Sequence, residues 1–253
     1  MKINIFTRSR TRITVLIVFG LFIHPVIAEE ITPSTSVELE GVSAYSIARG
    51  GRLYDKWFKE NKAGTPKIPN PAYPEKSQYK GKKGADWRCK ECHGWDYKGK
   101  DGLYRTGKHF TGVAGIANAS TLSQQKIIKI LRDKTHAYTD SVLSKEDVQD
   151  LANFVKYGQI DISKQVDTQS KQVSGDAKQG QKHYETICAV CHGLDGKGED
   201  TSPLGKLAND NPWEVLHKIS NGQPNNEMPA LRTLGKEVSL DLIHYMQKKL
   251  PRE

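Results

Sequence analysis

Cys89-Lys90-Glu91-Cys92-His93 and Cys188-Ala189-Val190-Cys191-His192 are the two stretches on which the reading of this chain turns, and between them they use all four of its cysteines. Four cysteines would ordinarily suggest two disulfides, but each pair here is self-contained and is followed at once by a histidine. Two thiols three positions apart on a helical turn can each add to a vinyl group of the same porphyrin, and the next histidine then lies under the iron. A redox C-x-x-C does not need the histidine, and a zinc site would not arrive as two separate, complete motifs. The motifs predict two covalently attached c-type haems, tethered by Cys89 and Cys92 and by Cys188 and Cys191, with His93 and His192 as iron ligands.

The sequence on either side of the motifs is repeated. His93-Gly94-Trp95-Asp96-Tyr97-Lys98-Gly99-Lys100-Asp101 lies without gaps over His192-Gly193-Leu194-Asp195-Gly196-Lys197-Gly198-Glu199-Asp200, which describes one turn used twice. Upstream, Gly50 precedes Tyr54 by four residues as Gly180 precedes Tyr184, each at an amphipathic helix. Downstream, Asp150-Leu151-Ala152-Asn153-Phe154-Val155 lies over Asp241-Leu242-Ile243-His244-Tyr245-Met246 with helical periodicity. The pattern predicts two tandem all-α haem domains, 29–157 and 175–253, joined by a polar linker at 158–174 that has no aromatic residue. The first carries a Pro-rich insertion, 62–86, with Pro66, Pro69, Pro71 and Pro74; Tyr54 to Cys89 spans 35 residues where Tyr184 to Cys188 spans four.

The N-terminus reads as an address. Lys2, Arg8, Arg10 and Arg12 precede an apolar run from Ile13 to Ile23, and Val26-Ile27-Ala28 offers a small-residue cleavage site, so residues 1–28 are expected to be a secretory signal cut after Ala28. The apolar run is short for a membrane span and His24-Pro25 interrupts it, so no span is expected after cleavage. The mean hydropathy of −0.62 excludes a polytopic membrane protein. The whole chain has a formal charge of +9, from 38 Lys and Arg against 29 Asp and Glu; removing four basic residues leaves 34 − 29 = +5. Four haem propionates would bring this to about +1, so the charge does not point to an anionic partner, and no motif reads nucleic acid.

The second half resembles a class I cytochrome c: Gly175-Asp176-Ala177-Lys178-Gln179-Gly180 leads to Tyr184, then come the haem motif, Met228-Pro229-Ala230 and a final helix. The whole chain resembles the dihaem cytochromes c of bacterial periplasms, which implies small helical domains wrapped round a haem. The resemblance implies Met228 as axial ligand of the second haem, whereas Met246 sits in a helical slot suited to packing. The first half has no methionine, and counting back from the closing helix His136, 14 residues before Asp150, takes the place of Met228, 13 before Asp241. His109 is the competitor, and an open iron is the third possibility. Trp87, Trp95, Tyr97 and Tyr104 would form an aromatic surround for the first haem.

A His/His haem has a lower potential than a His/Met haem, so electrons are expected to run from the first to the second, in a periplasmic electron carrier with redox partner proteins as donor and acceptor. The alternative is an oxidoreductase acting on a small sulfur or nitrogen compound or a peroxide at the first haem. The relatives that handle sulfur oxyanions use a cysteine ligand at the catalytic haem, and here no cysteine is spare. The run Lys76, Lys80, Lys82 and Lys83 would suit an acidic docking partner.

Overall fold

Helices account for the architecture. The computed structural model describes residues 41–198 and 202–253, and among them only two isolated antiparallel bridges, Gly99 to Ala114 and Val166 to Val173, interrupt the helices and turns. The expected signal segment, residues 1–28, lies outside the described residues.

In the first half, α1 (Ala44–Glu60) starts at Ser43, whose hydroxyl accepts from the Ser46 N–H at 3.1 Å. The haem-motif helix α2 (Cys89–His93) is followed by α3 (Gln124–Leu131) and α4 (Lys145–Asn153), the last opened by a reciprocal Ser144–Asp147 capping box and extended by a π-helical turn, Phe154–Gly158. The second half repeats the order. It has α5 (Ala177–His183) with a π-helical turn, Tyr184–Cys188, then α6 (Ala189–His192), α7 (Leu204–Asp210), α8 (Pro212–Asn221) and α9 (Lys236–Lys249).

The repeat seen in the sequence is a repeat of contacts. A Cβ on Gly50 would stand 2.0 Å from the Asp150 carbonyl oxygen and 2.7 Å from the Phe154 Cβ; on Gly180 it would stand 2.0 Å from the Asp241 carbonyl oxygen and 2.8 Å from the Tyr245 Cβ. In both halves the entry helix crosses the closing helix at a point only glycine permits. The tyrosine one turn later ties that crossing to the haem motif, because Tyr54 Oη donates to the Gly94 carbonyl at 2.6 Å and Tyr184 Oη to the Gly193 carbonyl at 2.7 Å. Gly94 and Gly193 end the motif helices at φ of 79° and 71°, and the N–H of Gly99 or Gly198 then closes the turn on the carbonyl of His93 or His192.

Two departures from a plain tandem follow. The polar stretch 158–174 is not a solvated spacer, since Ile162, Val166 and Val173 are buried in the second core. The Val173 N–H donates to Gln247 Oε1 at 2.9 Å and Gln247 Nε2 donates to the Lys171 carbonyl at 2.8 Å, which fastens the stretch to α9. The Pro-rich insertion is also ordered: the buried Asp86 Oδ2 accepts the N–H groups of Asn70 and Gly81 at 2.8 and 2.9 Å, and Lys80 Nζ donates to the carbonyls of Asn70 and Tyr73 at 2.7 and 2.6 Å. Lys80 is thus occupied in holding the insertion, while Lys76, Lys82 and Lys83 are exposed.

Candidate haem centres

At the first motif the chain brings two imidazoles together with their planes nearly parallel. The rings of His93 and His136 have centroids 6.3 Å apart and planes 26° from parallel. A metal–nitrogen bond of ~2 Å plus about 1.1 Å from nitrogen to ring centre, taken on both sides, gives about 6.2 Å, so the gap fits an iron between them. Each ring has its other nitrogen fixed by main chain: His93 Nδ1–H donates to the Ala114 carbonyl at 2.7 Å, and His136 Nδ1–H to the Ile130 carbonyl at 3.0 Å. That leaves Nε2 of both rings as the free lone pair, the second-layer support that metal-bound histidines have. Desolvation pushes His93 down to about 4, against the opposing Ala114 carbonyl, so it is neutral and able to ligate at ordinary pH.

The loop bearing His136 is held by several hydrogen bonds. Asp133 Oδ1 accepts the N–H groups of Thr135 and His136 at 2.8 and 3.0 Å, and Arg132 gathers the carbonyls of Tyr138 and Leu143 beneath it. Ala137 takes a left-handed φ of 54°, which turns the chain immediately after the imidazole. His109 stands elsewhere. Its ring is stacked between Tyr79 and Tyr104, at 4.8 Å from each, and its Nδ1 lies 3.0 Å from Glu91 Oε2.

Burial holds the thiols of Cys89 and Cys92 up at about 12, and that of Cys188 at about 11. These are neutral thiols, unlike the low-pKa nucleophile of a redox C-x-x-C. Tyr138, which sequence reasoning passed over, is buried and packs edge-on to Trp57 at 6.3 Å. Its signal was only its place two residues after His136.

At the second motif, Cys188, Cys191 and His192 line one cavity of about 1150 Å³ together with Met228 and Met246. Met228 is on the loop after α8. Gly222, at φ 81°, lets that loop return so closely that a Cβ there would meet the Met228 carbonyl oxygen at 2.6 Å. Met246 is buried in α9 as part of the second core and borders the cavity from there.

Residues 78–159 match the family model described as cytochrome c, and residues 175–246 match the one described as cytochrome c oxidase, cbb3-type, subunit III. The protein is a c-type cytochrome of two tandem domains. Cytochrome domains of this kind bind haem covalently and transfer electrons, so this cytochrome has redox partners. No curated protein matches the chain. Among solved structures it is similar to a chain of the Kuenenia stuttgartiensis reducing HAO-like protein complex, at 15% identity over 71% of this chain and 99% of that one, with a TM-score of 0.28. It is also similar to the thiosulfate dehydrogenase TsdBA of Marichromatium purpuratum, at 16% identity over 87% of this chain, with a TM-score of 0.22; the match covers 49% of that chain. No helix among the described residues is long and apolar enough to cross a membrane.

The two cytochrome domains share a seam that the motif loop of the first helps to build. Trp95 does not join an aromatic surround of the first haem, as the sequence suggested; it is buried in the core of the second domain. Its ring has Arg88, Lys90 and Lys218 at 6.0, 5.3 and 5.6 Å from its centroid. Tyr104 stacks on His109, and Tyr97 Oη donates to His217 Nδ1 at 2.9 Å, while His217 Nε2–H donates to the Gly51 carbonyl at 2.9 Å. Of the four predicted aromatics, Tyr97 and Trp87 belong with Cys89 to the core cluster of the first domain. Asp55, 1% exposed, accepts from Arg88 of its own domain and Lys218 of the other. Burial alone would raise its carboxyl, but the two cations hold it well below the usual carboxylate range.

The two haem motifs are unlike in exposure. Val190 and Leu194, at the second motif, are 85% and 70% exposed, whereas their counterparts in the repeat, Glu91 and Trp95, are 3% and 2% exposed.

Proposed function

We propose that this cytochrome is an exported, periplasmic electron carrier holding two covalent haems, and that electrons pass from a His93/His136 haem to a His192/Met228 haem. The observation that carries this reading is the near-parallel pair His93 and His136, with Nε2 free on both rings and Nδ1 of each fixed on a carbonyl. A six-coordinate first haem has no open position for a substrate, which speaks against catalysis there. Two nitrogen ligands lower a haem's potential relative to nitrogen plus thioether sulfur, and this sets the direction. The signal-like N-terminus, Lys2 to Ala28, supports export. The protein contributes positioning and tuning, since the haem iron when bound supplies the electron exchange.

The test is low-temperature electron paramagnetic resonance of the oxidised holoprotein, with haem counted by the pyridine haemochrome and potentials taken by spectroelectrochemical titration. Two haems per chain and two separated potentials are expected. His136→Ala should remove the bis-histidine signal and His109→Ala should leave it. No change in His136→Ala would sink the ligand assignment, and equal potentials would remove the direction.

A further inference from the structure

The cavity that contains Cys188, Cys191, His192 and Met228 is not walled by the second domain alone. Asp55, Lys56 and Lys59 of α1 line it, together with Arg88, the residue before the first haem motif. α1 leaves helical geometry at Lys56 (φ −159°, ψ 76°), so the helix is kinked where it borders this cavity.

The charges on the wall are unequal in their partners. Its acids are Asp55, Glu214 and Glu227, and its cations are Lys56, Lys59, Arg88 and Lys218. Asp55 is shared by Arg88 and Lys218. Glu214 Oε2 accepts from Asn211 Nδ2 at 3.2 Å in the cap of α8. Among the described residues Lys56 and Lys59 have no carboxylate within ion-pair distance. Lys56 Nζ rests 5.2 Å from the Phe58 ring centroid. Burial, then the nearby Arg88 and Lys59, pull its pKa below that of a free lysine.

Every c-type haem brings two propionate carboxylates, and a carboxylate out of water needs a cationic or hydrogen-bonding partner. We infer that the haem of the second domain is seated against the first domain, whose Lys56 and Lys59 receive its propionates. The first domain thereby sets the potential of a haem it does not tether. Positive charge beside a haem favours the form that has gained the electron, so these lysines raise the second potential and widen the step between the two centres. The inference rests on the reading of two haems with distinct ligands.

The experiment uses the full-length holoprotein, with potentials resolved haem by haem through the separate bis-histidine and histidine–methionine signals. In Lys56→Gln/Lys59→Gln the reduction equilibrium of the second haem should shift about tenfold toward the oxidised form, ~59 mV for a one-electron couple, with the first haem unmoved. Lys56→Arg/Lys59→Arg should keep the wild-type value, which a merely structural defect would not predict. An unchanged second potential, or an equal fall in both, overturns the inference. Fewer than two haems in the wild-type chain would instead overturn the two-haem reading beneath it.

Discussion

Replacing Trp95 by alanine should destabilise the second domain although the residue belongs to the first. Trp95 is 2% exposed and packed in the second core. A tryptophan burying roughly 250 Å² at about 25 cal/mol/Å² bounds the transfer contribution near ~6 kcal/mol. Large-to-small changes of buried aromatics cost about 3–5 kcal/mol once partial collapse is allowed. The three cations around the ring lose a contact each, and Lys218 and Arg88 keep Asp55 as partner, so a total of about 4 kcal/mol is expected. Urea unfolding, followed by far-ultraviolet circular dichroism and by methionine ligation at the second haem, reads this directly. With a slope of about 2.5 kcal/mol per molar, the midpoint should fall by ~1.5 M, and methionine ligation should be lost along with the helices. Trp95→Phe should give a smaller fall in the same direction. A midpoint moved by less than ~0.3 M, or a loss confined to the first haem's ligands, would refute the idea that this side chain belongs energetically to the other domain.

Other consequences can be checked separately. Met228→His should lower the second haem's potential by on the order of 0.1–0.2 V and narrow the gap to the first, as a spectroelectrochemical titration would show. Gly50→Ala and Gly180→Ala each place a Cβ 2.0 Å from a backbone carbonyl, so both should lose about 2–3 kcal/mol or more in thermal unfolding, and a neutral result at either would contradict the helix crossing. Stability should fall in mild acid. Burial lowers the folded pKa of His217 to about 4 from 6.5, so the unfolded chain takes up the proton first. The contribution is complete above pH 6.5 and is lost between there and about 4, about 3 kcal/mol in all. His217→Gln should flatten that part of the stability–pH curve. The depressed Asp55 carboxyl adds a further loss below about pH 4, which Asp55→Asn would abolish at the cost of leaving Arg88 and Lys218 unpaired at every pH.

Much of the skeleton was legible because it is written twice. Gly50 with Tyr54 and Gly180 with Tyr184 mark the same crossing, and the Asp150 and Asp241 registers meet those glycines in space, so the alignment of one half on the other carried three-dimensional information. The same register singles out His136, whose ring lies 6.3 Å from that of His93. What the repeat could not disclose is how its two copies dock, since no periodicity within a domain encodes the surface between domains. Trp95 reads as an aromatic beside a haem and lies in another core. Asp55, Arg88 and Lys218 are unremarkable in sequence until three segments meet. The stretch 158–174 reads as polar because few of its residues, Ile160, Ile162, Val166 and Val173, turn inward, too few to shift its composition. Asp86, which orders the insertion through two backbone N–H groups, has no local pattern at all.

The unlike exposure of Val190 and Leu194 against Glu91 and Trp95 makes the molecule a series circuit with one terminal of this kind. On an electrode coated with a short-chain alkanethiol, adsorption through the apolar pair would put the second centre in direct exchange with the metal. The first centre would then charge and discharge only through the second, so its current should lag increasingly as the sweep rate rises. Duplication has produced two haem sites from one plan, and docking has turned one of them inward.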